Sequence, residues 1–277
     1  MATPFPEAPS RIIPSRDGTG IAVFSAGRGP DVLLVHGTSA DHRTWRVVAP
    51  DLAGRRRIHA LDRRGRGDSS DGSVYVIDRE LEDVAAVADI LADEEGGPID
   101  LVGHSLGGRI ALAASRLTGS IRRVVAYESA PGTRDASGQS DDEELLRRLR
   151  ADLAAGDLDG LLARFMTDAV GMPAAELSAF RADPIWARRA AAGPTIVREL
   201  DAALHAPAIA ADALALVTVP VLQLTGSLSA AWFRDGALAL DARLAKGRLE
   251  VIEGARHAAH HTHPAEFLAR VQVFFAD

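Results

Sequence analysis

Gly103-His104-Ser105-Leu106-Gly107-Gly108 is the stretch from which the rest of the chain can be read. It sets a serine at the centre of G-x-S-x-G, directly after the apolar run Ile99-Asp100-Leu101-Val102 and directly before a helical stretch at 109–116. The first run reads as a short buried strand, and the second as a helix with small residues on one side. A serine on the tight turn between such elements is a nucleophile elbow, with strained dihedrals and a hydroxyl that points out of the turn. Gly103 and Gly107 suit it because side chains there would collide with the neighbouring strand and helix. The start of the helix also aims unpaired N–H groups and a positive dipole end at the reacting centre, which favours an oxyanion. Ser105 is therefore the candidate nucleophile, and its context disfavours the alternative of an ordinary Gly/Ser turn.

A chain of 277 residues suits one α/β core carrying an insertion. Hydrophobic residues make up 47% and charged residues 25%, as in soluble globular proteins. No apolar run approaches the roughly 18 residues of a membrane span, so no membrane partner is expected. The opening MATPFPEAPSR lacks a basic flank followed by an apolar stretch, and reads as a loose arm on a cytoplasmic protein. The absence of cysteine excludes a disulfide framework, a thiol nucleophile and a thiolate metal site. A net charge of -7 argues against nucleic acid, which needs a concentrated basic surface.

Outward from the elbow, apolar runs and helical periods alternate. Ile12-Ile13 and Ile21-Ala22-Val23-Phe24 flank Asp17-Gly18-Thr19-Gly20 as two hairpin strands. Strands are expected at 31–35, 58–61, 123–127, 219–225 and 248–252, and helices at 44–52, 78–94, 233–244 and 264–275. From 133 to 216 the alternation stops, and helical spacing at 141–153, 158–166, 174–182 and 194–204 reads as an inserted cap. Strands alternating with helices imply a mainly parallel sheet covered on both faces, with the chemistry at the carboxyl ends of the strands.

Four features stand in the order such an architecture needs: His36-Gly37 after a strand, the turn Asp62-Arg63-Arg64-Gly65-Arg66-Gly67-Asp68-Ser69, the elbow, and Gly254-Ala255-Arg256-His257 after the last strand. With them the chain resembles a cap-bearing, serine-nucleophile, esterase-like α/β-hydrolase over essentially its whole length. The resemblance implies an eight-stranded, mainly parallel sheet with helices on both faces, a core formed by residues 1–132 and 217–277, and a helical cap at 133–216. His257 then falls in the chain order Ser, acid, His, where an imidazole takes the serine proton and returns it to the leaving group.

The acid departs from the commonest pattern of the family, Gly-x-x-Asp after the seventh strand. Gly226-Ser227-Leu228-Ser229 stands there, and the neutral hydroxyl of Ser229 cannot stabilise an imidazolium. Glu128, at the end of the sixth strand, is the expected acid, with Asp235 or another downstream carboxylate, or no acid at all, as alternatives. The resemblance assigns the oxyanion hole to the backbone N–H groups of Leu106 and Thr38, with Ser39 as fallback. It makes His36 and His104 structural or pocket-lining, and gives the Asp62 turn a structural role. His260, His261 and His263 lack accompanying carboxylates at ligand spacing, so no metal is expected.

Trp45, Trp186, Phe165, Met166, Phe180 and Trp232 are candidates for the pocket between core and cap. No cap cluster of basic residues is free of neighbouring acids, so the expected substrate is a small, uncharged, moderately apolar ester or lactone, cleaved without a cofactor. The same machinery also fits C–C hydrolysis, perhydrolysis and acyl transfer or cyclisation, and a ligand-binding protein with a weakened triad is a further reading. Oligomeric state is not legible.

Overall fold

The structure is a computed structural model and describes residues 4–131 and 141–276. Eight strands form one sheet: β1 (Arg11–Pro14), β2 (Gly20–Ala26), β3 (Asp31–Val35), β4 (Arg57–Leu61), β5 (Ile99–His104), β6 (Ile121–Tyr127), β7 (Val221–Gly226) and β8 (Gly247–Ile252). Their order is β1-β2-β4-β3-β5-β6-β7-β8. Only β2 runs against the others, pairing antiparallel with both β1 and β4. The α/β class and the eight-stranded, mainly parallel sheet expected from sequence are thus observed.

Every residue of β3 is buried, as a strand covered on both faces requires. Its side chains still alternate: Leu33 and Val35 enter one apolar core, Val32 and Leu34 the other. The first core is covered by α2 (Ile77–Glu95), which turns Leu81, Val84, Ala88 and Leu91 inward at helical spacing, and by α3 (Leu106–Ala114). On the opposite face lie α1 (Ala49–Ala53) and, at the end of the chain, α12 (Pro264–Ala276) with Phe267, Val271 and Phe274.

The helix expected at 44–52 is broken into a 3-10 turn at His42–Trp45 and the short α1, because Pro50 stands at the start of α1 and cannot donate backward into a continuous helix. The N-terminal arm is anchored at one residue, with Pro6, Glu7 and Ala8 after it exposed. Phe5 is buried and meets the His42 ring edge-on.

Between β6 and β7 run α4 (Asp141–Ala154), α5 (Leu158–Arg164), a π turn at Phe165–Ala169, α6 (Ala174–Arg181), α7 (Ile185–Ala191), α8 (Gly193–Leu204) and α9 (Ala211–Leu214). Leu149, Leu161, Leu162, Trp186 and Ile196 make a third core inside this segment, whereas Ile209 and Leu214 join the core under α2 and α3. The expected start of the insertion at 133 lies outside the described residues. After β7 come α10 (Ala231–Asp241) and α11 (Ala259–Thr262). The helices α7, α9 and α11 were not expected, and α9 and α11 have only 4 residues each, too few to show a period.

The turn after β4 is a buried ionic clasp. Arg63 holds Glu80 of α2 at 2.6 Å and Glu199 of α8 at 3.4 Å, and Arg66 holds Glu199 at 2.5 Å. Arg64 binds Asp83 of α2 at 2.7 Å, so Arg63 and Arg64 are structural, as the resemblance implied. Among the described residues no helix is long and apolar enough to cross a membrane.

Candidate active site

Three residues other than glycine have positive φ among the described residues: Ser39 (64°), Ser105 (54°) and Glu128 (47°). They follow β3, β5 and β6, which are neighbours in the sheet, so the backbone strain collects at one stretch of its carboxyl edge. Ser105 is the N-cap of α3, with ψ -129°. Its N–H donates to Tyr127 O (2.9 Å), and the N–H of Glu128 donates to Leu224 O (2.9 Å), so both strained residues continue the hydrogen bonding of the sheet.

Neither elbow glycine has a positive φ; close approach is what demands them. A Cβ on Gly107 would lie 2.2 Å from His36 O, and one on Gly103 2.4 Å from the Gly108 Cα. The strain itself is carried by Ser105. Its Oγ has no hydrogen-bond partner among the described residues, and it opens into a cavity that His257 also lines.

His257 lies between β8 and α11, on a loop held from beneath. The buried Tyr127 hydroxyl donates to Arg256 O and accepts from Ala259 N–H (3.3 Å), while His104 Nε2 donates to His257 O (2.7 Å). The Phe233 ring of α10 stacks on the imidazole with centroids 4.4 Å apart. His257 Nδ1 donates to Glu128 Oε2 at 2.7 Å, leaving Nε2 as the free ring nitrogen.

Glu128 is 2% exposed, and its carboxylate is fully engaged. Its Oε1 accepts from Gly226 N–H (2.8 Å), Thr225 Oγ1 (3.2 Å) and Ser229 Oγ. Burial alone would raise the pKa of this group, but His257, Ser229 and the Gly226 N–H together hold it below the ordinary carboxylate value. Ser229, at the position where the family commonly has aspartate, is therefore a donor to the carboxylate on the next strand. Asp235 is half-exposed on α10 beside Arg234 (3.6 Å).

The backbone N–H groups of Thr38 and Leu106 donate to no acceptor among the described residues. Thr38 lines the cavity with Ser105, whereas Ser39 faces a neighbouring one. His36 ties the loops after β3 and β4 together: Nδ1 donates to Gly37 O (2.8 Å) and Nε2 accepts from Arg63 N–H (3.0 Å). Burial pushes the pKa of His36, His104 and His260 well below 6.5, so these rings are neutral.

The cavity is about 370 Å³. Of the large apolar candidates, Phe165, Met166 and Phe180 line it. Trp45 and Trp186 are buried elsewhere, and Trp232 is exposed. Thr44, His260, His261 and Arg189 also line the cavity, and sequence patterns gave no sign of them. Arg189 makes no salt bridge among the described residues, although Asp41 and Asp183 both act on its charge.

A model of the alpha/beta hydrolase family matches residues 32–271. The chain is 28% identical over 264 residues to a pimeloyl-[acyl-carrier protein] methyl ester esterase of Aeromonas hydrophila, covering 92% of this chain and 98% of that protein. A crystal structure of an alpha/beta hydrolase from Sphaerobacter thermophilus superposes with TM-score 0.77 at 29% identity, over 93% of this chain and 100% of that one. An esterase from Exiguobacterium antarcticum shares the fold, with TM-score 0.78 at 21% identity over 96% and 99% of the two chains.

Proposed function

Because the chain belongs to the alpha/beta hydrolase family and is a hydrolase, we propose that it cleaves a small carboxylic ester or lactone through an acyl-enzyme on Ser105. Ser105 Oγ attacks the carbonyl carbon while His257 Nε2 takes its proton. Glu128 keeps the other ring proton on Nδ1 and stabilises the imidazolium that forms. The Thr38 and Leu106 N–H groups receive the oxyanion, worth about 2.7 to 4 kcal/mol for each such donor. His257 then protonates the leaving alcohol. Water, activated by the same nitrogen, attacks the acyl-enzyme, and the acid leaves with Ser105 restored.

The observation that carries this reading is the 2.7 Å bond from His257 Nδ1 to a carboxylate whose other oxygen is held by three donors. A site relieved of catalysis has no need of that carboxylate, nor of strain at both Ser105 and Glu128. The helices α4 to α8, with a core of their own, act as the cap, and a cavity of about 370 Å³ with Phe165, Met166 and Phe180 in its wall suits a short, moderately apolar chain. The relative from Aeromonas, named for a methyl ester, supports ester cleavage over C–C cleavage.

The test is hydrolysis of p-nitrophenyl esters of graded chain length, together with labelling by a fluorophosphonate probe. Turnover and labelling that both vanish in Ser105→Ala support the reading. Labelling without turnover of any ester moves the chemistry to acyl transfer or C–C cleavage, and no labelling refutes the nucleophile.

A further inference from the structure

A second cavity, of about 440 Å³, shares Thr44 and Arg189 with the first. Ser39, Asp41, Arg66 and Arg188 are also in its wall. Arg66 is 4% exposed, and its Nε and Nη1 have no hydrogen-bond partner among the described residues. Only its Nη2 is engaged, on Glu199. Arg189 makes two long hydrogen bonds to neutral groups, Nη1 to Ser39 Oγ (3.5 Å) and Nη2 to Thr44 Oγ1 (3.2 Å), and its Nε is likewise without a partner. Its guanidinium lies 5.4 Å from the Phe180 ring centroid.

The charges around this wall do not cancel. Arg63, Arg66, Glu80 and Glu199 form a neutral set. Asp41 is shared by Arg43 (3.0 Å) and Arg188 (3.6 Å) and the buried Asp62 carboxylate lies within 4.8 Å of it, so with Arg189 the cations exceed the carboxylates by one. Toward the first cavity, Arg46 meets Asp183 (3.5 Å) and Arg256 meets Glu176 (3.0 Å), so those pairs cancel. Burial draws the Arg189 pKa down to about 10, with Asp41 and Asp183 opposing the shift only in part, so the group is charged at neutral pH with no carboxylate at salt-bridge distance among the described residues. Buried cations are ordinarily paired, and buried donors ordinarily bonded.

We propose that this second cavity is an anion subsite: Arg189, aided by Arg66 and Arg188, receives a carboxylate carried by the substrate whose ester lies against Ser105. The proposal rests on the ester-cleaving reading above and sharpens it. The substrate is then a half-ester, one end apolar and cleavable and the other anionic. The excess positive charge selects it over the neutral ester of equal length.

Binding is measured first on Ser105→Ala, which needs no turnover, by calorimetry with monomethyl esters of straight-chain dicarboxylic acids of graded length. The methyl esters of the matching monocarboxylic acids serve as neutral comparators. A half-ester of at least one length is expected to bind about tenfold or more tighter than its comparator, with an advantage that shrinks as salt is added. The same ratio in kcat/KM is expected with active protein, and it should collapse toward unity in Arg189→Gln and survive in part in Arg189→Lys. Fluorophosphonate labelling of each variant reports whether its fold and nucleophile are intact. Equal binding of charged and neutral esters overturns the subsite, even where p-nitrophenyl esters are hydrolysed and Ser105 is labelled. Saturable binding of succinate or inorganic phosphate with no half-ester preference also overturns it, since the cavity then takes a free anion. Loss of labelling and of all ester turnover, with half-ester selectivity intact, refutes the catalytic reading and spares the subsite.

Discussion

Glu128→Gln is the substitution that bears most directly on how the site is built, because the surroundings of the carboxylate dictate how the amide must sit. Oε1 is met by three donors, one of them the fixed backbone N–H of Gly226. The amide oxygen must take that position, since an NH2 there would set donor against donor. The amide nitrogen is thereby turned toward His257 Nδ1, which has to accept instead of donate. The ring proton moves to Nε2, the nitrogen that must be empty to take the proton of Ser105. Holding the wrong tautomer, with the geometry otherwise kept, costs a serine triad about 10⁴ in kcat. A loss near that size is expected for p-nitrophenyl ester hydrolysis by Glu128→Gln, with thermal stability measured alongside to exclude unfolding. Adding Ser229→Asp should restore part of the loss, because Ser229 Oγ already contacts Glu128 Oε1. Activity of Glu128→Gln within about tenfold of wild type would refute the tautomer argument and the role of Glu128 with it.

Four further outcomes follow from the structure. Gly107→Ala forces a Cβ to within 2.2 Å of His36 O and 2.6 Å of Val35 O, both backbone atoms, so a loss of about 1–3 kcal/mol in urea denaturation and a fall in kcat are expected; unchanged stability would contradict the close approach. Glu199→Gln leaves Arg63 and Arg66 short of a carboxylate in a fully buried clasp, and should lower stability by about 3–5 kcal/mol; a near-neutral result would mean that the clasp is solvated. Tyr127→Phe strips the bonds to Arg256 O and Ala259 N–H from the His257 loop, and should cost about 1–3 kcal/mol together with a lower kcat at unchanged KM, read in steady-state kinetics. The rings of His36, His104 and His260, held well below 6.5, and of His261, held at about 3, refuse a proton that the unfolded chain accepts. As pH falls below 6.5 the unfolded state therefore binds more protons, and stability should drop by about 1.4 kcal/mol per pH unit for each such ring. Denaturation curves between pH 7 and 5 test this slope, which His261→Gln should reduce by one ring's share.

What the sequence made legible was what depends on local chemistry. β3 could be read because five residues buried on both faces must be apolar nearly throughout, and α2 because nineteen residues leave room for a helical period to repeat. The elbow was readable from its glycines, each excluded from bearing a side chain by backbone within its own strand-turn-helix or the adjoining loop. Arg189 was not, because its distinction lies in what fails to meet it. A cap full of arginines and acids gives no hint in sequence of which cation ends outside a salt bridge. Thr44 and the α11 histidines likewise reach the cavity through packing between stretches more than 200 residues apart, with no repeating pattern to announce it.

The position of the acid joins these two cases. A serine in place of aspartate after β7 shows in the sequence as a loss, and Glu128 as one more loop carboxylate; nothing local links them. The sheet supplies the link, because β6 and β7 are adjacent and in parallel register, with Tyr127 opposite Leu224. The residues following the two strands therefore emerge side by side, where a glutamate from β6 and a short side chain from the β7 loop meet at one point. Ser229 Oγ donates to the same carboxylate that His257 Nδ1 meets, so the β7 loop contributes a donor to it. The left-handed φ of 47° at Glu128 follows from this arrangement. A glutamate placed one residue beyond its strand must turn sharply for Oε2 to reach a ring on the loop after β8, two strands away. Four hydrogen bonds converging on its two oxygens hold the strained residue in place.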